Sequence, residues 1–155
     1  MKAIVLTPPS ILIDDYNKYK KVFLAGSINQ GESDDWQKKI IDAVQDSERI
    51  IFNPRREKWD ASWIQSIDNP KFKEQVDWEL NALESSDMII MYFEPGSISP
   101  ISLLEFGLFA RSGKLIVYCP DGFFRKGNVD IVCEKYKVPQ VEKFEELITL
   151  IKYMQ

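Results

Sequence analysis

The run Met88-Ile-Ile-Met-Tyr-Phe93, then Glu94-Pro-Gly-Ser-Ile98, then Ser99-Pro-Ile-Ser-Leu-Leu-Glu105-Phe-Gly107 decides the fold. A short, continuous apolar run reads as a strand covered on both faces. The Pro-Gly loop ends it. Ser99 is a natural N-cap and Pro100 suits the first helical position, so a helix is predicted from Pro100 to Ser112, closed at Gly113. A second apolar run, Leu115-Ile-Val-Tyr-Cys119, follows. Strand, helix and strand in this order predict a parallel pair joined by a right-handed crossover.

The same alternation extends in both directions. Strands are predicted at Val22–Ala25, Arg49–Phe52, Met88–Phe93 and Leu115–Cys119, with a short edge strand at Val138–Val141, where Pro139 is tolerable. Helices are predicted from about Ser33, with Asp34 and Asp35 in the first turn; from Pro70 to Ser86, with Phe72, Val76, Leu80 and Leu83 in register; from about Val129 to Tyr136; and from Phe144 to Tyr153. Arg55 to Asn69 reads as a long irregular loop, of the kind that is often functional. The expected architecture is a three-layer flavodoxin-like or Rossmann-like α/β domain with a five-stranded, mostly parallel sheet. The expected strand order, by first residue, is Arg49, Val22, Met88, Leu115, Val138, with the switch point between Val22 and Met88. Residues 1–21 stand outside the alternation, as an arm or a flanking strand, and residues 22–155 form the domain.

Composition narrows the chemistry. The chain has 155 residues, a net charge of −4 and no histidine. It has no basic footprint for a nucleic-acid polymer. Without histidine, Ser-His-Asp and Cys-His catalysis and most zinc sites are excluded, and acid–base work near neutral pH falls to carboxylates. Cys119 and Cys133 lack a CxxC spacing and read as reduced core thiols. The apolar stretch at the N-terminus is too short for a signal peptide or a membrane span, so a cytoplasmic protein is expected.

Ligands of an open parallel sheet bind beyond the carboxyl ends of its strands, at the switch point. Those ends are Gly26-Ser27-Ile28, Asn53-Pro54-Arg55, Glu94 to Ser99, and Pro120-Asp121-Gly122. The Gly26-Ser27 turn can offer N–H groups and a hydroxyl to a phosphate. It matches neither the P-loop nor GxGxxG. Glu105 is the only charge between Pro95 and Ala110, in a helix apolar nearly all round. A buried carboxylate is costly unless partnered or used, so Glu105 is either a cap or a working group. Asp77 and Glu79 read alone as a solvated helix face, and Asp87 as a turn before the strand. Arg55, Arg56 and Lys58 beside Trp59 are a solvated basic loop, or a phosphate contact with Trp59 as a stacking wall.

Val22-Phe-Leu-Ala-Gly-Ser-Ile28, Trp78-Glu-Leu80 with Ser86-Asp87-Met-Ile-Ile90, and Ser99 followed by Glu105-Phe-Gly107 together resemble the nucleoside 2-deoxyribosyltransferase-like superfamily, which includes the deoxynucleoside 5′-monophosphate N-glycosidases. The resemblance covers roughly Val22 to Val141. It implies that Glu105 is the nucleophile that attacks C1′ of the sugar. Glu79 then stands where the family usually has an Asp that handles the leaving base, with Asp77 a nearby substitute. It implies that Ser99 marks the hydrolase branch, where this hydroxyl contacts the 5′-phosphate. Asn29 occupies a position where the hydrolases often carry Arg, a charge that Arg55 or Arg56 would have to replace. Gly26, Ser27, Ile28, Asn53, Arg55, Trp59 and Ser99 are the expected substrate contacts. No metal or organic cofactor is implied, and the partners expected are a small nucleoside or nucleotide and further copies of the chain. Two other readings stay open: a nucleotide sensor without turnover, and a structural α/β protein in which Glu105 is only a cap.

Overall fold

The computed structural model describes residues 2–12, 18–28, 35–56 and 62–155. Ten elements alternate along it: β1 (Ile4–Leu6), β2 (Lys20–Gly26), α1 (Trp36–Val44), β3 (Arg49–Phe52), α2 (Pro70–Ser85), β4 (Met88–Tyr92), α3 (Pro100–Phe109), β5 (Leu115–Tyr118), α4 (Lys126–Tyr136) and α5 (Phe144–Tyr153). The five strands form one sheet in the order β1-β3-β2-β4-β5, every pairing parallel. This is the three-layer flavodoxin/Rossmann-like architecture, with the switch point between β2 and β4.

The alternation of side chains along β2 explains the two outer layers. Phe23 and Ala25 point into one core, with Trp78, Ala82 and Leu83 of α2, Phe106 of α3 and Ala110 just after it, and Val129 and Cys133 of α4. Val22 and Leu24 point into the other, with Trp36, Ile40 and Val44 of α1 and Leu147 and Ile151 of α5. Every one of these side chains is buried. Such short strands hold because both faces lose their water.

The edges differ from the expectation. The fifth strand is Ile4–Leu6 beside β3, so the N-terminal segment supplies the flanking strand. Val138–Val141 is no strand; it contributes a single parallel bridge, Val117 to Gln140. Pro139 has no N–H to donate, which limits the ladder there. Its carbonyl accepts from Val117 N, and Val141 N donates to the Val117 carbonyl.

Helix starts and faces also differ. Asp35, expected in the first turn of α1, is its N-cap and accepts from Lys38 N at 3.0 Å. The helix α4 begins at Lys126, three residues before the expected start at Val129. On α2 the fully buried positions are Gln75, Trp78, Ala82 and Leu83, whereas Phe72, Val76 and Leu80 are half-buried. The helix is rotated because Trp78 packs against the rings of Phe23 and Phe52. Its indole N–H also donates to the Ser10 carbonyl at 2.8 Å. Asp87 has the structural role read for it: its carboxylate accepts from Lys21 N at 2.8 Å, tying the exit of α2 to the start of β2. Cys119 and Cys133 are buried free thiols. Among the described residues, no helix is long and apolar enough to cross a membrane.

Candidate active site

Gly26 ends β2 against β4. A Cβ built on it would lie 2.2 Å from the Tyr92 carbonyl oxygen, and its φ is +137°. Only glycine combines that approach with that backbone. The close approach brings the next residue, Ser27, under the loop that leaves β4. Ser27 N donates to the Tyr92 carbonyl at 2.9 Å, and Ser27 Oγ accepts from Glu94 N at 2.9 Å. On the opposite side, the Trp36 indole donates to the Ser27 carbonyl at 3.0 Å.

Three hydroxyls meet at this point. Ser27 Oγ lies 2.6 Å from Ser99 Oγ and 3.1 Å from Ser97 Oγ, and the last two are 2.9 Å apart. Ser97 Oγ also donates to the Glu94 carbonyl at 2.7 Å. Ser99 occupies the N-cap position of α3, as expected, but its side chain caps nothing there. It turns to the other serines, with backbone φ 44° and ψ 56°. That left-handed conformation costs a non-glycine residue about 1 kcal/mol or more. The serine triangle therefore sits beside a helix N-terminus whose first N–H groups have no side-chain cap, an arrangement suited to an anion.

Glu105, on α3, is buried, 8% exposed. Burial, and secondarily the charge of Glu79, push its carboxyl up to about 8. Glu79 comes from α2. Burial raises its carboxyl too, against a hydrogen bond from Gln75 that lowers it. Gln75 Nε2 donates to Glu79 Oε1 at 2.9 Å. The charge of half-buried Glu79 thus acts on Glu105 where burial already disfavours ionisation, the kind of environment that sets acid and base roles apart. Asp77 is two residues from Glu79, roughly 200° around the helix. It is exposed and paired with Lys73, a turn away on the same helix.

The exit of β3 supplies the remaining candidates. Asn53 Oδ1 accepts from Arg55 N at 3.1 Å, an Asx turn that shapes the loop. The Arg55 guanidinium is held away from the carboxyl pair, 3.4 Å from Asp35 and donating to Gln37 Oε1 at 3.2 Å. Arg56 is the one that reaches toward the pair: its Nη1 donates to Gln75 Oε1 at 3.5 Å and its guanidinium stacks 5.0 Å over the Trp63 ring. The stacking wall expected of Trp59 falls on a residue outside those described. Trp59, Lys58 and Asn29 lie outside the described residues. Ile28 is exposed at the rim.

Three members of the site, Gln75, Ser97 and Trp63, were not singled out in the sequence. Gln75 was legible only as the residue four before Glu79 on a helix, a spacing that makes two side chains neighbours. Ser97 was legible only as a second hydroxyl two residues before Ser99. No group of three or more acidic or cysteine side chains that could hold a metal occurs among the described residues.

Fold and site together define an α/β protein with a buried Glu105, a half-buried Glu79 whose charge acts on it, and three clustered serine hydroxyls at the switch point of its sheet. The chain belongs to the family described as nucleoside 2-deoxyribosyltransferase like, whose model matches residues 19–123. That family points to an enzyme of the deoxyribosyltransferase-like type, one of glycosyl transfer or cleavage on a nucleoside-type small molecule. Among solved structures, a conserved protein from Enterococcus faecalis V583 superposes with a TM-score of 0.64 at 13% identity, over 88% of this chain and 99% of that one. At that identity the likeness concerns the fold. No curated protein matches the chain in sequence.

Proposed function

We propose that this protein breaks the N-glycosidic bond of a nucleoside 5′-monophosphate through a covalent ester on Glu105. The observation that carries the proposal is the buried Glu105 with half-buried Glu79 acting on it, the two standing on successive crossover helices. Near neutral pH such a pair holds one proton between its two carboxyls, and the reaction uses one carboxylate and one proton. A Glu105 oxygen attacks C1′ as the C1′–N bond breaks. The electron pair of that bond goes to the base, and the proton of the pair passes to the base by way of Glu79. The products are a glycosyl ester, an ionised Glu79 and the neutral base. Water then opens the ester, its hydroxyl going to C1′ and its proton to the carboxyl pair, or a second base takes the sugar in its place. A positioned proton donor contributes about 10²–10⁴-fold to such a step. Retaining enzymes of this kind hold their carboxyls about 5–5.5 Å apart.

Ser27, Ser97 and Ser99 with the start of α3 support a 5′-phosphate at the other end of the sugar. Arg56 with Trp63 supports the base side, next to Gln75 and Glu79. A second copy of the chain completes the unit, because α3 leaves Ile101, Leu104 and Leu108 more than half exposed on the helix that carries Glu105.

The test is incubation with a panel of nucleosides and their 5′-monophosphates, with free base followed by chromatography and binding by calorimetry. Base release that depends on Glu105 supports the proposal. Saturable binding with no base released would make the protein a nucleotide sensor.

A further inference from the structure

Gln75 is 4% exposed, a polar side chain within the buried face of α2. Such a group persists in a core only when its hydrogen bonds are made. It has three contacts. Its Nε2 donates to Glu79 Oε1 at 2.9 Å and to the Pro54 carbonyl at 3.4 Å, and its Oε1 accepts from Arg56 Nη1 at 3.5 Å. These partners leave the amide one orientation. Turned over, its oxygen would face a carbonyl and a carboxylate, and its NH₂ would face a guanidinium that can only donate. The N–H toward Glu79 is therefore imposed by the exit of β3, not by Glu79 itself.

We propose that Gln75 is a positioning residue that keeps the charge of the carboxyl pair on Glu79 in the empty site, and so leaves the proton on Glu105 until substrate arrives. The amide offers Glu79 a donor, which favours its carboxylate form. Among the described residues Glu105 has no such donor, and the charge acting on it is that of Glu79. Among the described residues, the groups set against this pair are Gln75 on α2, Arg56 from the β3 exit acting through Gln75, and the two carboxyls themselves. Asp77 faces solvent and Lys73 instead. An uncharged Glu105 in the free protein costs less to bury than an ionised one. The ionised nucleophile then forms only when a substrate has displaced water and the proton has a base to go to.

The kinetic part of this inference rests on the glycosidase reading; the titration part does not. In protein labelled with ¹³C at its glutamate carboxyls, and assigned with Glu79→Gln and Glu105→Gln, Glu79 should titrate below Glu105. In Gln75→Met the Glu79 midpoint should rise by about one pH unit or more, toward that of Glu105. In the unsubstituted protein the Gln75 side-chain amide protons should shift with the Glu79 titration, a readout that holds even if the variant does not fold. The active form is the singly protonated pair, so kcat/KM should follow a bell whose acid limb moves to higher pH in Gln75→Met. A purely structural Gln75 would lower the whole bell and leave its limbs in place. An unmoved Glu79 midpoint, or Gln75 amide protons that stay flat while Glu79 titrates, overturns the assignment. If the unsubstituted protein releases no base from any substrate, the glycosidase reading falls while the titrations still decide the role of Gln75.

Discussion

Glu79 lies on the helix after β3 and Glu105 on the helix after β4, the two strands that flank β2 in the sheet, and the charge of Glu79 adds to burial in raising the Glu105 carboxyl. Neither helix alone makes a site. Each contributes one carboxyl, and the proposed reaction draws its acid and its base from that pair, without histidine.

Removal of the Glu105 carboxyl should end turnover. Glu105→Ala is expected to lower base release by about 10³-fold or more while the circular dichroism spectrum stays that of the folded protein. Glu105→Gln should still bind substrate, by calorimetry, without releasing base. Base release at the unsubstituted rate in Glu105→Ala would return Glu105 to the role of a cap.

The raised carboxyl also makes a stability prediction. The folded protein holds a proton on Glu105 up to about pH 8, whereas the ordinary glutamate value is 4.5. Between those two values the folded state binds more protons than the unfolded one, so stability falls as pH rises through that window and levels off above it. Glu105→Gln removes this dependence. Its melting temperature should exceed that of the unsubstituted protein by about 5 °C at pH 8.5 and by little at pH 5. Parallel melting curves for the two proteins across that range would show that Glu105 titrates normally.

The serine triangle should read the phosphate. Ser99→Ala is expected to lower kcat/KM for a deoxynucleoside 5′-monophosphate by about 10–100-fold and to leave the free nucleoside nearly unchanged, since a hydrogen bond to a charged group contributes about 1.5–3 kcal/mol. Equal losses on both substrates would place the phosphate elsewhere.

At Gly26 the prediction is structural. Gly26→Ala puts a methyl 2.2 Å from the Tyr92 carbonyl oxygen at φ +137°. It should cost about 2 kcal/mol or more in urea unfolding. It should also disturb the Ser27 contacts that depend on the close approach of β2 and β4.

The exposed apolar side of α3 should be covered by a second copy. Ile101, Leu104 and Leu108 are 58%, 60% and 57% exposed. A homo-oligomer is expected by light scattering at micromolar concentration, and Leu104→Glu with Leu108→Glu should shift it toward monomer. A monomeric, fully active unsubstituted protein would rule this out.

Much of the frame was legible in the chain. The runs led by Val22, Arg49, Met88 and Leu115 are apolar throughout and bounded by breakers, and all four are strands in the expected order. Glu105 stood out because a lone charge in an apolar helix must be partnered or used, and it is buried. Local pattern failed at the margins. A three-residue run such as Ile4–Leu6 pairs only because β3 presents a free edge, and Val138–Val141 fails to pair as a strand although its composition allows it.

What the sequence determined by itself was therefore the alternation of elements, the sheet they imply, and the chemistry left to a chain without histidine. These follow from periodicity and composition, which act over a few residues. The tertiary structure alone decided which groups meet. It turned α2 about Trp78 so that Gln75 is buried and donates to Glu79, while Asp77, two residues away, faces solvent. It drew Ser99 out of its capping role to join Ser27, 72 positions away. Hydrogen bonds and charge coupling depend on distance in space, and residues so far apart in the chain acquire that distance only when the sheet closes.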